Sequence, residues 1–158
     1  MIKILFVCHG NICRSPIAEF VMKDFVAKSN LTSAFHIASA ATSSEEIWNG
    51  VGNPVYPPAK AKLAEHGISC AGKRAIQLTR ADYDKYDYLI GMDSANIRNM
   101  HRILGGDPEG KISKLLSFAD SDGDIADPWY TGNFDDTYRD VLKGCEALLN
   151  TLKAKHRL

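Results

Sequence analysis

A chain of 158 residues and 17.4 kDa is long enough for one sizeable core, and 45% apolar with 24% charged residues is the composition of a globular domain. Nineteen Lys plus Arg offset nineteen Asp plus Glu, so no basic field gathers nucleic acid and no polybasic patch addresses a membrane. No apolar run approaches a membrane span, and an N-terminus with one Lys and no signal-type cleavage region leads us to expect a cytoplasmic protein.

Strand and helix signals alternate along the chain. Ile2 to Val7 is an apolar run that reads as a buried strand. Ile17, Val21 and Phe25 then recur at helical spacing, with Ser15 expected as the N-cap and Pro16 at the first helical position. Phe35 to Ala38 reads as a second strand, and residues 40–56, with Gly50, Gly52, Asn53 and Pro54, as a long surface loop. Pro57 to His66 predicts a helix stopped by Gly67, and Thr79 opens a short helical turn. Tyr88 to Met92 predicts a third strand. A helix follows from Ser94 with Ile97, Met100 and Leu104 on one face, ended by Gly105-Gly106. Ile112 to Phe118 holds a fourth strand, and Asp120 to Gly132 is polar and turn-rich. Phe134, Tyr138, Val141, Leu142, Cys145, Leu148, Leu149 and Leu152 mark the apolar stripe of a last helix. The expectation is a single α/β domain over residues 1–158: a four-stranded parallel sheet with helices on both faces and a phosphate-binding loop after the first strand.

That loop is Cys8-His9-Gly10-Asn11-Ile12-Cys13-Arg14-Ser15-Pro16. It lies at the carboxyl end of the first strand, where open α/β sheets bind ligands. A loop entering a helix offers unpaired N–H groups and the positive end of the helix dipole. Gly10 lets the backbone curl, and Asn11 tolerates a left-handed turn. Arg14 adds a fork matched to phosphate oxygens. Thiols in such fields titrate at roughly 3.5–7.5, against about 8.5 when free, so Cys8 is expected to be a thiolate at neutral pH with Ser15 donating to it. No Gly-Lys-Ser/Thr follows, which removes support for a nucleoside triphosphate site. The chemistry left is attack of sulfur on phosphorus, with Arg14 and the loop amides stabilising the equatorial oxygens. Asp127, held extended by Pro128, is the candidate proton donor to the leaving oxygen; its plainer role is to cap a turn. Trp129 and Tyr130 beside it suit the walls of an aromatic pocket.

Together these residues resemble the low-molecular-weight protein tyrosine phosphatases. The resemblance runs from Val7 to Glu19, through Glu65-His66-Gly67-Ile68, Tyr86-Asp87-Tyr88 and Met92 to Asn96, to Asp127-Pro128-Trp129-Tyr130. It implies Cys8 as nucleophile, Arg14 as transition-state clamp, Asp127 as acid and then base, and Asn11, Ser15 and His66 as loop supports. It implies no cofactor and a phosphotyrosine protein as substrate (in bacteria often a tyrosine kinase); we also expect no metal, and a monomer or weak dimer. Substrate contacts are expected from His9, Gly10, Asn11, Ile12, Cys13, Ser15, Trp48, Trp129 and Tyr130. His9 stands where some members carry an apolar residue, and Val55 to Ala59 replaces the common Asp-Pro-Arg.

Several residues keep two readings. Cys13 either packs under the loop or forms a reversible disulfide with Cys8 that spares the nucleophile further oxidation. His66 either meets the last carbonyls of its helix or supports the loop, and Trp48 is either core or a specificity wall. Cys70 and Cys145 read as structural, and the four cysteines lack the paired spacing of a zinc site. Two rivals to the phosphatase are a thiol-dependent arsenate reductase, which needs a cysteine relay, and a non-catalytic phosphotyrosine-binding or redox-sensing module.

Overall fold

The first strand, β1 (Ile2–Cys8), is apolar on both sides because both of its sides are covered. In the computed structural model, which describes residues 1–158, Ile2, Ile4, Phe6 and Cys8 enter one hydrophobic cluster, and Leu5 and Val7 enter another. Helix α1 (Arg14–Lys28) leads to β2 (Phe35–Ala41). A two-residue-strand hairpin, β3 (Ile47–Trp48) and β4 (Val51–Gly52), precedes α2 (Pro57–Glu65) and the short α3 (Asp82–Lys85). Then come β5 (Tyr88–Gly91), α4 (Ser94–Leu104), β6 (Ile112–Lys114), the single turn α5 (Pro128–Thr131) and the long α6 (Phe134–His156).

The four main strands form one parallel sheet in the order β2-β1-β5-β6. The first cluster gathers α1, α2 and α6 on one face; the second gathers Tyr83 of α3 and Met100 and Leu104 of α4 on the other. The chain leaves β1 to one side for β2 and returns to the other side for β5. At such a reversal the connections diverge beyond the strand ends and leave a crevice. Cys8 ends β1 and so sits at its floor. No helix is long and apolar enough to cross a membrane.

Several boundaries differ from the sequence reading. Helix α1 begins at Arg14, with Cys13 in the N-cap position and no side chain capping it. Ser15 is inside the helix because its hydroxyl serves Cys8 and Asn11 instead. Residues 40–56 are not one surface loop: β2 continues through Ala41, and the β3–β4 hairpin occupies the middle. The fourth strand stops at Lys114, and a 3₁₀ turn over Leu115–Ala119 drives Leu115 against α6. Pro128 to Thr131 form a helical turn within the polar segment.

Gly144 lies inside α6, where glycine is worth about 1 kcal/mol less than alanine by propensity. A Cβ there would stand 2.5 Å from Cγ of the fully buried Leu115. Overpacking of this kind costs ~1–3 kcal/mol, so Gly144→Ala is expected to be destabilising despite its helical gain. A lowered urea midpoint with unchanged slope is the expected result; a raised midpoint would show that Leu115 moves aside freely.

Candidate active site

The loop from Cys8 to Arg14 is shaped around the Asn11 side chain. Asn11 has φ 59° and is 1% exposed. Its Oδ1 accepts the Ile76 N–H at 3.1 Å, which fixes the orientation of the amide. Its Nδ2 therefore donates to Ser15 Oγ at 2.8 Å and Ser39 Oγ at 2.9 Å. The Asn11 N–H points back at Cys8 Sγ, 3.3 Å away, and Ser15 Oγ lies 3.0 Å from the same sulfur. Gly10 does not have a positive φ; a Cβ there would stand 3.2 Å from Glu46 Cγ, a tight contact that the Glu46 side chain would have to relieve. The N–H groups of Gly10, Ile12 and Cys13 donate to no protein acceptor, and the first-turn amides of α1 have no intrahelical partner. The loop is thus a ring of N–H donors above a thiol, at the positive end of a helix.

Arg14 is 2% exposed and held from behind. Its Nη1 donates to Asp93 Oδ2 at 2.5 Å and to the Ile125 carbonyl at 3.0 Å, and its Nη2 reaches Asp127 Oδ2 at 3.4 Å. Burial pulls this guanidinium down, but the Cys8 sulfur and the Asp93 carboxylate outweigh it and hold Arg14 above its ordinary value. Asp93 divides its oxygens: Oδ1 caps α4 by accepting the Asn96 N–H at 2.7 Å, and Oδ2 takes Arg14. Asp127 has φ −77° and ψ 114°, the extended backbone expected before Pro128. Its Oδ1 accepts the Trp129 N–H at 3.0 Å. Cys13 is pushed up to about 12, first by burial and then by the Cys8 sulfur; burial alone pushes Cys145 up.

The cleft above the sulfur measures about 140 Å³, comparable with the roughly 150 Å³ cavity that admits a benzene ring. Cys8, Gly10, Ile12 and Cys13 form its floor. Trp129, Tyr130, His9, Glu45 and Glu46 also line it, the Trp129 ring 4.9 Å from that of Tyr56. His9 Nε2 is 3.0 Å from Glu45 Oε2. Asn11 and Ser15 lie beneath the loop rather than on the cleft surface. Two expected residues are elsewhere. Trp48 is 80% exposed on the hairpin and does not line the cleft. His66 is solvent-exposed and stacks on Tyr138 at 4.3 Å, with no hydrogen bond to the loop; Ser39, together with Glu19 behind it, does the supporting. No three His, Cys, Asp or Glu side chains converge in metal-holding geometry.

Sequence reasoning missed Glu45, Glu46 and Ser39, for which no local pattern exists. For Asp93 a signal was present: Asp93 and Asn96 stand in capping-box spacing at the start of α4. Glu19 also carried one, as the lone charge in the run Ile17 to Met22 of α1.

A sequence model of the low molecular weight phosphotyrosine protein phosphatases matches residues 3–158. The chain is 39% identical to the low molecular weight protein-tyrosine-phosphatase YfkJ of Bacillus subtilis, over the whole of both chains. It is 37% identical to PtpA of Staphylococcus saprophyticus, over 95% of this chain and 93% of that one. The crystal structure of YfkJ superposes with a TM-score of 0.91, covering 98% of this chain and 96% of the other. A Drosophila arginine phosphatase superposes with a TM-score of 0.84 at 28% identity, covering 96% and 98%. The chain belongs to the low molecular weight protein-tyrosine-phosphatase family.

Asp93→Asn keeps a good N-cap but removes the charge behind Arg14. A guanidinium displaced by about 1 Å is expected to lower kcat by ~10²-fold with little change in thermal stability. Steady-state turnover of an aryl phosphate beside a melting curve checks this; wild-type turnover would show that Asp93 only caps α4.

Proposed function

We propose that the protein hydrolyses phosphotyrosine in protein substrates, and small aryl phosphates, through a cysteinyl-phosphate intermediate. One arrangement carries the reading: Cys8 Sγ beneath a ring of free N–H groups, with Arg14 linking that ring to Asp127. The Cys8 thiolate attacks phosphorus while the bond to the phenolic oxygen breaks. Asp127, as the acid, gives its proton to that oxygen. Arg14 and the loop N–H groups bind the equatorial oxygens as their charge spreads. Asp127, now the base, takes a proton from the water that displaces Cys8 and releases phosphate.

Trp129 and Tyr130 favour an aryl group over a flexible guanidinium, and the relatives at 37–39% identity carry tyrosine-phosphatase names. The arsenate-reductase alternative lacks its relay, since Cys70 and Cys145 are buried outside the cleft. Cys13 is a protonated thiol beside the nucleophile. After peroxide converts the Cys8 thiolate to a sulfenic acid, attack by Cys13 sulfur would form the disulfide and expel water.

Cys8→Ser is expected to abolish phosphotyrosine hydrolysis while keeping vanadate binding. Asp127→Asn should slow a phosphotyrosine peptide by ~10²–10⁴-fold, and p-nitrophenyl phosphate by less. Faster release of phosphate from a phosphoarginine peptide than from the tyrosine peptide would overturn the substrate assignment. Thiol treatment after peroxide should restore wild type better than Cys13→Ser; equal recovery would remove the disulfide.

A further inference from the structure

Beneath the phosphate loop lies a charge pair that the steps above leave unused. Glu19 is 4% exposed and sits one helical turn after Ser15, so both side chains leave α1 on the same side. Its Oε1 accepts the Ser39 hydroxyl at 2.6 Å. Two ammonium groups face this carboxylate. Lys23 Nζ is 2.6 Å from Oε2, but its side chain is 45% exposed and screened by water. Lys73 Nζ lies 3.7 Å from Oε1, its side chain is 10% exposed, and it donates to the Ser39 carbonyl at 2.9 Å. Lys73 comes from the segment after α2 whose Ile76 N–H also holds Asn11.

The hydrogens in this chain have one consistent direction. An ionised carboxylate only accepts, so Ser39 gives its hydrogen to Glu19 and its oxygen accepts from Asn11 Nδ2. Asn11 gives its second hydrogen to Ser15, whose own hydrogen is then left for Cys8 Sγ. The direction of the whole chain is thus set at Glu19, and it leaves Ser15 to donate to the sulfur.

We propose that Lys73 is a positioning residue for Cys8: by balancing Glu19 in the interior it holds in place the carboxylate that heads the chain of hydrogen bonds ending on the sulfur. This rests on the reading of Cys8 as nucleophile. Burial pulls Lys73 below the ordinary ammonium range, while Glu19 and the Cys8 sulfur push the other way, so nucleophile and ammonium lie in each other's field. From other elements Cys8 is faced by Arg14, by Asp127 across the cleft, and by His9 and Glu46 at the rim. Cys13 stands beside it on its own loop, and Asp93 acts through Arg14. None of these forms an ion pair or hydrogen bond with Glu19, so changes at Glu19 and Lys73 leave them in place.

The test is the rate of iodoacetamide alkylation of Cys8, followed by mass spectrometry across about pH 5–8, beside kcat/KM for p-nitrophenyl phosphate. Lys73→Gln keeps a donor for the Ser39 carbonyl but no charge. Its alkylation profile is expected to move up by about one pH unit, making labelling roughly tenfold slower on the acid limb. Lys73→Arg should stay near wild type. The double variant Glu19→Gln/Lys73→Gln should return toward wild type, because a neutral amide oxygen still accepts from Ser39 and no buried charge is stranded. A Lys73→Gln profile that superposes on wild type, or a double variant shifted as far as the single, would overturn the proposal. Should Lys73→Gln fail to fold, the double variant, free of unbalanced charge, is expected to fold and titrate like wild type, and its failure would overturn the proposal equally. Loss of turnover or labelling in the wild-type protein would instead defeat the phosphatase reading itself, so the two failures are distinguishable.

Discussion

The primary amide of Asn11 holds the site together. Through one side chain it ties the first turn of α1 at Ser15, strand β2 at Ser39, and the segment after α2 at Ile76. These three segments are far apart in sequence, and no other single group reaches all of them. The backbone of Asn11 is equally committed, since its φ of 59° turns its N–H back onto the sulfur. Glycine would accept that φ at no steric cost but would leave Ser15, Ser39 and Ile76 untied. Asparagine is one of the few residues that meets both demands.

Charge is laid out in depth, which the neutral sum of the sequence conceals. Behind the loop sit Arg14, buried, and Lys73, half-buried, each paired with a carboxylate. Around the mouth stand Glu45, Glu46 and Asp127. Of the two, only Arg14 lines the cleft, so its field is set at the depth of the sulfur while the carboxylates stand further out. Pairing each cation from behind lowers the desolvation penalty of an isolated buried charge and leaves its field directed at the loop. Asp93 shows how economically this is done, because one carboxylate both starts α4 and anchors Arg14.

What the sequence made legible was what is local. The strand-loop-helix at Cys8, the Gly-ended α4 and the striped α6 are written in contiguous residues, and the structure has them where the patterns place them. Ser15 was misjudged as a cap because a serine before a helical proline has two outlets for its hydroxyl, and only the fold shows that Cys8 and Asn11 take it. The fourth strand was drawn too long for a similar reason: Leu115 leaves the sheet to fill the notch over Gly144, 29 residues away. Trp48 is read from residue type and His66 from the family resemblance, yet the hairpin turns Trp48 outward and Tyr138 engages His66. The Glu19–Lys73 pair spans 54 positions and has no signature in either neighbourhood.

The cysteines show how hydrogen-bond donors distinguish sulfurs of nearly equal burial. Cys8 and Cys13 are nearly equal in exposure, at 3% and 5%, and both border the cleft. Burial by itself therefore does not separate them. Donors do: an N–H and a hydroxyl converge on Cys8 Sγ, and none is directed at Cys13, where burial acts unopposed by hydrogen bonds and leaves a thiol. Cys145 carries the same logic further, fully buried with its own hydrogen given to the Ala18 carbonyl. The three sulfurs thus differ less in burial than in which hydrogens the surrounding backbone and hydroxyls aim at each.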